Sequence, residues 1–246
     1  MSPHIYGLQP VRELLRRRPE QIEEILLSRG ESHSEEILNL ARQKGVKIVP
    51  LPRSELERLA GAREHQGIAA KAPLPEVFAI EDLLERAAGK SESLLVFLDG
   101  IEDPQNLGAI LRSSEGAGAE GVVIPEHKSA RISPAVMKAS AGALEWVPVA
   151  VVTNLVRAVD LARKAGFWIY AAVMEAKGSL WKTEFAPKTA LLIGSEGKGL
   201  RPLVEKSADF EFCIPRFGKI GSLNASVAAA LAIYEYRRQR AAAAKK

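Results

Sequence analysis

The first 72 positions of the chain alternate between helix-like and strand-like patterns of hydrophobic residues. Apolar residues spaced three and four apart predict helices, and short apolar runs between turn-forming residues predict strands. The predicted helices are Val11–Arg18, Ser34–Lys44 and Ser54–Ala60, and the predicted strands are Ile22–Ser28, Val46–Val49 and Gly67–Lys71. This order predicts a small α/β unit.

A linker and a second α/β alternation follow. Two prolines in Ala72–Pro75 remove amide donors and fix their φ angles, which favours a linker, and a helix is predicted over Ile80–Ala88. Continuous apolar runs then occur at Leu94–Leu98, Gly121–Ile124, Trp168–Val173 and Ala190–Ile193. Runs without polar alternation are typical of parallel strands buried on both faces. We therefore predict a doubly wound, mostly parallel sheet.

Composition and charge exclude several classes of protein. The 246 residues include 34 basic and 30 acidic side chains, and the resulting net charge of +4 only mildly favours a polyanionic partner. The single cysteine, Cys213, rules out an internal disulfide and a CxxC metal site. No apolar run reaches the roughly 18 residues that span a bilayer, and the first residues lack a signal-peptide pattern. We expect a cytoplasmic protein with no membrane partner.

The common sequence motifs of nucleotide, hydrolase and metal chemistry are absent. There is no G-x-x-x-x-G-K-[ST], no G-x-G-x-x-G after a strand and no G-x-S-x-G. The four histidines show neither an HExxH pattern nor close pairing, so no metal site is predicted. Any catalysis here must use other groups.

Polar residues follow the strand Leu94–Leu98, at the edge where open α/β sheets bind ligands. Asn106 is a favoured N-cap for a helix beginning at Leu107, and Arg112 lies six residues further on. The two side chains could border one cleft. The alternative interpretations are a plain helix cap and a solvated arginine.

A glycine-rich loop follows the strand Ala190–Ile193. Gly194, Gly197 and Gly199 give the loop exposed amides and wide freedom in φ, and Glu196 is its only carboxylate. Such a loop could hold an anion or a nucleoside. A simple glycine-rich turn is the alternative.

A third polar cluster precedes an alanine-rich helix predicted over Val227–Tyr236. Apolar residues surround almost the whole helix, so we expect it to be largely buried. Ser222, Asn224 and Ser226 lie at its amino end, where side-chain oxygens and free amides gather. Capping explains one of these residues well, but three of them less well.

Together the three clusters resemble the motifs of the SpoU family of RNA ribose 2′-O-methyltransferases. The matching patterns are Asn106-Leu-Gly-x-x-x-Arg112, Ile193-Gly-Ser-Glu-Gly-x-Gly-Leu200, and Ile214-Pro-x-x-Gly-x-x-x-Ser222-Leu-Asn-x-Ser-Val-Ala. They occur in the family's order. Ile5–Gly7, Val11–Leu15 and His65–Ile68 also resemble the small substrate-binding domain of the bacterial branch that methylates a guanosine of large-subunit (23S) ribosomal RNA.

The resemblance implies an α/β fold: a mostly parallel sheet with a C-terminal trefoil knot, plus a small N-terminal α/β domain. It implies a homodimer as well. The expected organisation is an RNA substrate-binding domain at 1–72, a linker and first helix at 73–90, a methyltransferase domain with the knot at 91–240, and a disordered tail at 241–246.

The resemblance also implies S-adenosylmethionine as cofactor, no metal, and large-subunit ribosomal RNA as partner. The residues expected to bind the cofactor are Gly194, Gly199, Ile214, Ser222 and Leu223. Those expected to be catalytic are Asn106, Arg112, Glu196, Ser222 and Asn224. Asn106 would orient the ribose or Arg112, and Glu196 would accept a bond from the target nucleoside or anchor Asn106. Ser222 and Asn224 would bind substrate or fix the knot loops.

The family makes Arg112 the acceptor of the 2′-hydroxyl proton. A guanidinium holds its proton far above neutral pH, so a neutral form near pH 7 costs roughly 8 kcal/mol. A bound phosphate favours the charged form further. Our hypothesis is that Arg112 binds an RNA phosphate bidentately and polarises the hydroxyl, with the proton lost late in the step.

RNA contacts are expected either from Lys128, Arg131 and Lys138 or from Arg216 and Lys219. Three rival functions remain open. One is the same chemistry on transfer RNA, another is a non-catalytic RNA-binding or assembly factor, and the third is an unrelated small-molecule enzyme.

Overall fold

The computed structural model describes residues 2–29 and 34–243. The helices are α1 (Leu8–Arg17), α2 (Glu35–Gln43), α3 (Arg53–Ala60), α4 (Ile80–Ala87), α5 (Pro104–Gly116), α6 (Pro134–Ala139), α7 (Leu155–Lys164), α8 (Pro202–Glu205) and α9 (Ala225–Ala243). The strands are β1 (His4–Tyr6), β2 (Glu24–Ser28), β3 (Ile48–Leu51), β4 (Ile68–Lys71), β5 (Ser93–Asp99), β6 (Gly121–Pro125), β7 (Val149–Val152), β8 (Trp168–Ala172), β9 (Lys188–Gly194) and β10 (Phe210–Phe212). The chain divides into two compact units, Met1–Glu76 with Ile132–Trp146, and Val77–Arg131 with Val147–Lys246.

The first unit is built on a mixed sheet of strand order β1-β4-β2-β3. Strand β4 runs antiparallel to both β1 and β2, so Ala70 lies opposite Ile5 and Ile25, whereas β2 and β3 are parallel. Leu26, Leu56 and Ala69 are buried together in its core. The sequence therefore predicts an amino-terminal α/β unit correctly.

The segment Ile132–Trp146 belongs to this first unit, whereas the sequence placed it within 91–240. Helix α6 contacts β1 and α1. Arg18 donates two hydrogen bonds, of 2.7 and 2.8 Å, to the buried carboxylate of Glu145, and the Trp146 Nε1 donates to Glu13 at 3.1 Å. These contacts join residues more than a hundred positions apart, so local patterns could not have indicated them.

The second unit contains the predicted parallel sheet. Among the described residues its strand order is β10-β8-β9-β5-β6-β7, and every neighbouring pair is parallel. Each position of β5 is buried, as its continuous apolar run predicts. Leu95 and Phe97 share a core with α4 and α7, while α9 contacts β9 and packs against α5.

Helix α5 begins earlier than predicted. The structure starts it at Pro104 and not at Leu107, with Asp103 as the N-cap: the Asp103 Oδ1 accepts a bond of 2.9 Å from the amide of Gln105. Proline at the first helical position is pre-organised for a helix, which explains the earlier start. The expectation that Asn106 is the N-cap is therefore wrong, and its side chain is free for other contacts.

Helix α9 is longer than predicted and is not buried on all sides. Ala229, Ala232 and Tyr236 are fully buried, but Val227 is 47% exposed and Tyr234 51% exposed. Only one side of the helix packs against the rest of its unit. Residues 241–243 of the expected disordered tail belong to α9, and 244–246 lie outside the described residues. No helix within the described ranges is both long enough and apolar enough to cross a membrane.

Candidate active site

A cleft of about 90 Å³ opens at the carboxyl ends of β8 and β9. We call it the glycine-loop cleft, because the loop after β9 forms one wall and the segment 214–225 forms another. All five residues expected to bind a cofactor line it, and so does Glu196; the six are Gly194, Glu196, Gly199, Ile214, Ser222 and Leu223.

The glycine loop has a tight backbone geometry. Ser195 and Gly199 exchange two backbone hydrogen bonds, of 3.0 and 2.9 Å, and both Gly197 and Gly199 have positive φ angles. A Cβ on Gly194 would lie 2.1 Å from the carbonyl carbon of Gly199 and 2.3 Å from the amide nitrogen of Leu200. Only glycine fits at position 194, because the loop folds back directly onto the end of β9.

The side-chain amide of Asn224 joins all three sequence clusters. Its Nδ2 donates to the Oδ1 of Asn106 at 3.0 Å and to the Oε2 of Glu196 at 3.3 Å. Asn106 lies 118 positions from Asn224, so the fold brings these clusters together. Glu196 is bonded to Asn224 and thereby linked to Asn106 indirectly.

The same amide also starts helix α9. The Oδ1 of Asn224 accepts from the backbone amide of Ser226 at 2.9 Å and from the Ser226 hydroxyl at 2.6 Å, with a longer bond of 3.4 Å from the amide of Val227. Asn224 is thus an N-cap through its oxygen and a link between motifs through its nitrogen. Capping and site formation, which the sequence offered as alternatives, coexist in one side chain.

Sequence reasoning missed the residue that anchors the far end of the glycine loop. Asp99, the last residue of β5, is buried, and it accepts from the backbone amide of Arg201 at 2.8 Å and from the Nε of Arg201 at 2.7 Å. A carboxylate at the end of a fully buried strand needs a partner, and this could have identified Asp99. The identity of the partner, 102 positions away, had no sequence signal.

Arg112 is the one predicted catalytic residue that the structure leaves apart from the others. It is exposed on α5, it does not line the glycine-loop cleft, and it makes no hydrogen bond or ion pair with any described residue. Ser222 lines the cleft and is likewise without a side-chain hydrogen bond to the described part of the chain. Both groups are available to a ligand.

The expected RNA-contacting side chains fall into different places. Lys128 and Arg131 are exposed in the second unit, whereas Lys138 belongs to the first, where it donates to the side-chain oxygen of Gln66. Burial lowers the pKa of Lys138. Arg216 lines the glycine-loop cleft and Lys219 is exposed nearby in sequence. Within residues 2–29 and 34–243, no three His, Cys, Asp or Glu side chains are placed to hold a metal ion.

Comparison with known proteins gives consistent matches to both units. The model of the SpoU rRNA methylase family matches residues 93–234, more than half of the chain. The model for RNA 2′-O ribose methyltransferase substrate binding matches residues 4–78.

Individual relatives match along nearly the whole length. The 23S rRNA (guanosine-2′-O-)-methyltransferase RlmB of Pseudomonas putida is 36% identical over 241 residues, covering 96% of each chain. The RlmB of Escherichia coli is 34% identical, and the match covers 98% of this chain and 100% of that one.

Two solved structures are also similar. An RNA 2′-O ribose methyltransferase gives a TM-score of 0.82 at 27% identity, over 97% of this chain and 88% of that one. The SpoU methyltransferase AviRb from Streptomyces viridochromogenes, in complex with the cofactor AdoMet, gives 0.80 at 25% identity, over 97% and 90%. The chain belongs to the SpoU rRNA methylase family.

Proposed function

We propose that this protein transfers a methyl group from S-adenosylmethionine to the ribose 2′-hydroxyl of a guanosine in 23S ribosomal RNA. The observation that carries the proposal is the side chain of Asn224, which unites the three SpoU clusters at one edge of the sheet. Relatives that cover both units and bear this activity in their names support the substrate. We expect the protein to act in the cytoplasm.

The glycine-loop cleft suits S-adenosylmethionine, also called AdoMet. Gly194 lets backbone approach where any Cβ would collide, and Ile214 and Leu223 offer apolar surface for a nucleoside. Backbone groups of Gly199 and the hydroxyl of Ser222 are available as polar contacts. When bound, the cofactor supplies an electrophilic methyl group on a sulfonium.

The remaining work belongs to the protein's own side chains. Asn224 holds Glu196 at the cleft and Asn106 beside it, which fixes the position of a ribose approaching from that side. Such alignment can supply about 7–11 kcal/mol of the barrier. Arg112, exposed and unpaired among the described residues, binds a phosphate of the substrate through its two-pronged guanidinium and polarises the 2′-hydroxyl.

We also propose that the carboxyl-terminal region forms the trefoil knot of the family. Strand β9 lies between β8 and β5, and the backbone after it folds back so tightly that Gly194 has no room for a side chain. The chain then continues through β10 beside β8 and returns as α9 to contact α5 and β9. The return of α9 to these earlier elements supports the proposal.

A homodimer is the expected assembly, formed through the outer side of α5 and α9. A groove there is lined by Trp181, Val227 and Tyr234, each about half exposed, together with Ala109 and Leu231. Contiguous exposed apolar surface of this kind marks protein interfaces. Sedimentation analysis should give a particle of twice the chain mass.

The proposed activity is tested by incubating the protein with methyl-labelled S-adenosylmethionine and unmodified ribosomal or transfer RNA. We expect label in the large-subunit RNA alone. Label only in transfer RNA would favour the same chemistry on a different polymer. A protein that binds RNA but labels neither pool would be a binding or assembly factor, and the proposal would fail.

A further inference from the structure

A second groove, of about 680 Å³, opens at the carboxyl ends of β6 and β7. We call it the basic groove. Its charged lining residues are Lys128 and Arg201, His127 lies beside them, and no Asp or Glu is among the described residues that line it. The carboxylate of Asp99 lies behind Arg201, is buried, and offsets part of its charge. The side chain of Arg201 is still 51% exposed.

Lys128 is the freest cation of the groove. Its side chain is exposed and makes no hydrogen bond or ion pair within the part of the chain that the structure describes. Its backbone has a φ of 58°, in the left-handed region that is costly for residues other than glycine. A strained backbone persists only where the surrounding structure holds it in place, and such positions cluster at functional sites.

Both sides of the groove are attached to the segment that leads into α5. On one side, the amide of Ala130 donates to the carbonyl of Ile101 at 2.8 Å and so holds the loop that carries Lys128. On the other side, Arg201 is bonded to Asp99. Asp99 and Ile101 lie just before the helix that carries Asn106 and Arg112. Hydrogen bonds therefore connect the basic groove to the segment that leads into the candidate active site, on the same edge of the sheet.

The chemistry of the lining fits a polynucleotide. Cations without lining carboxylates attract phosphates, and Leu203, which is 72% exposed at the wall, offers an apolar surface to a base. The groove is also larger than the glycine-loop cleft. We propose that the basic groove binds a single-stranded segment of the RNA substrate next to the target nucleotide, with Lys128 on a phosphate. This inference rests on the proposed function.

The test changes the charge of Lys128 and compares it with a matched lysine. The variants are Lys128→Gln and Lys128→Glu, and the controls are Lys164→Gln and Lys164→Glu. Lys164 is exposed, has no side-chain partner among the described residues, and ends the helix α7 whose first residue, Leu155, lines the groove. Ten residues of helix place the two ends of α7 roughly 15 Å apart.

Binding is measured by fluorescence anisotropy with a labelled single-stranded RNA of about a dozen nucleotides and with 23S RNA fragments, at several salt concentrations. We expect Lys128→Gln to weaken binding and to reduce the slope of log K against log salt by about 0.7. The affinity ratio between wild type and variant then shrinks about fivefold for each tenfold rise in salt. Lys128→Glu should weaken binding further, KM for RNA should rise, and the affinity for S-adenosylmethionine should not change.

The outcomes separate this inference from the proposed function. If the Lys128 variants bind RNA as tightly as the Lys164 variants do, the proposed role of the basic groove in RNA binding is wrong, even if methyl transfer is observed. A wild-type protein that binds neither RNA would also overturn it. Binding that depends on Lys128, without methyl transfer to any RNA, would keep the groove and refute the proposed activity.

Discussion

The contact between Asn224 and Glu196 can be tested by exchanging its donor and acceptor. Asn224→Asp keeps the oxygen that caps α9, since Asn and Asp are equivalent caps. The Asn106 amide can rotate and donate its own NH₂ group to the new carboxylate, so that contact can re-form. The bond from Asn224 to Glu196 is lost, and two carboxylates face each other where a hydrogen bond of 3.3 Å had been.

The magnitude follows from that distance. The lost hydrogen bond contributes about 0.5–1.5 kcal/mol. At 3.3 Å, like charges repel by about 1 kcal/mol in water and by about 5 kcal/mol at an effective dielectric constant of 20. Glu196 is exposed, so the repulsion should lie near the lower value. We expect Asn224→Asp to lower the free energy of unfolding by about 1.5–2.5 kcal/mol.

Adding Glu196→Gln should restore most of this loss, because the new amide can donate to the new carboxylate. The assay is a double-mutant cycle of urea unfolding at neutral pH with wild type, both single variants and the double variant. Groups in contact show coupling energies of about 0.5–3 kcal/mol, whereas independent sites add within about 0.3–0.5 kcal/mol. Additive effects would show that Asn224 and Glu196 do not touch, and the joining of the clusters would lose its support.

Three further variants test separate parts of the site and its support. Gly194→Ala places a methyl group 2.1 Å from the backbone of the loop, so the loop must move by about 1 Å and turnover should fall about 100-fold. The control variant Gly221→Ala has open space around the new methyl group and should retain activity. Equal turnover rates of the two variants would contradict the steric argument. Tyr236→Phe removes a bond of 2.6 Å to the carbonyl of Pro187 and should cost about 1–3 kcal/mol in urea unfolding. Burial raises the pKa of Tyr236 to about 12, so the folded state opposes ionisation of this side chain. The free energy of unfolding of the wild type should therefore fall between about pH 10, near the pKa of an unfolded tyrosine, and about pH 12, and it should fall more steeply than that of the Phe variant. Parallel curves of stability against pH would refute this. Arg112→Lys removes the two-pronged contact and should lower single-turnover rates about 10- to 100-fold across the pH profile; near-wild-type turnover would exclude a bidentate role.

The sequence predicted the central strands of the sheet and missed its edges. Strands β5, β6, β8 and β9 have continuous apolar runs because both of their faces are buried. Strands β7 and β10 are at the two ends of the order, and two of the three residues of β10 are exposed. Strand β10 therefore carries little hydrophobic signal, whereas β7, Val-Ala-Val-Val, is an apolar run that the sequence prediction missed.

The candidate site was predictable as a set of residues, and its connections were not. Family motifs selected Asn106, Glu196 and Asn224, but one-dimensional patterns do not specify which amide donates to which oxygen. The bond between Asp99 and Arg201 had no motif at all. The start of helix α5 is an example: Asn106 and Asp103 are both good N-cap residues, and Pro104, which is pre-organised for the first helical position, makes Asp103 the N-cap.

The most direct test of the account is the chemical position of the methyl group. Large-subunit RNA is treated with the protein and methyl-labelled S-adenosylmethionine, then hydrolysed in alkali, which cleaves a phosphodiester only beside a free 2′-hydroxyl. We predict that the label appears in an alkali-resistant dinucleotide that yields 2′-O-methylguanosine on enzymatic digestion, and that Gly194→Ala largely abolishes it. Label recovered in single nucleotides carrying a methylated base would contradict the account.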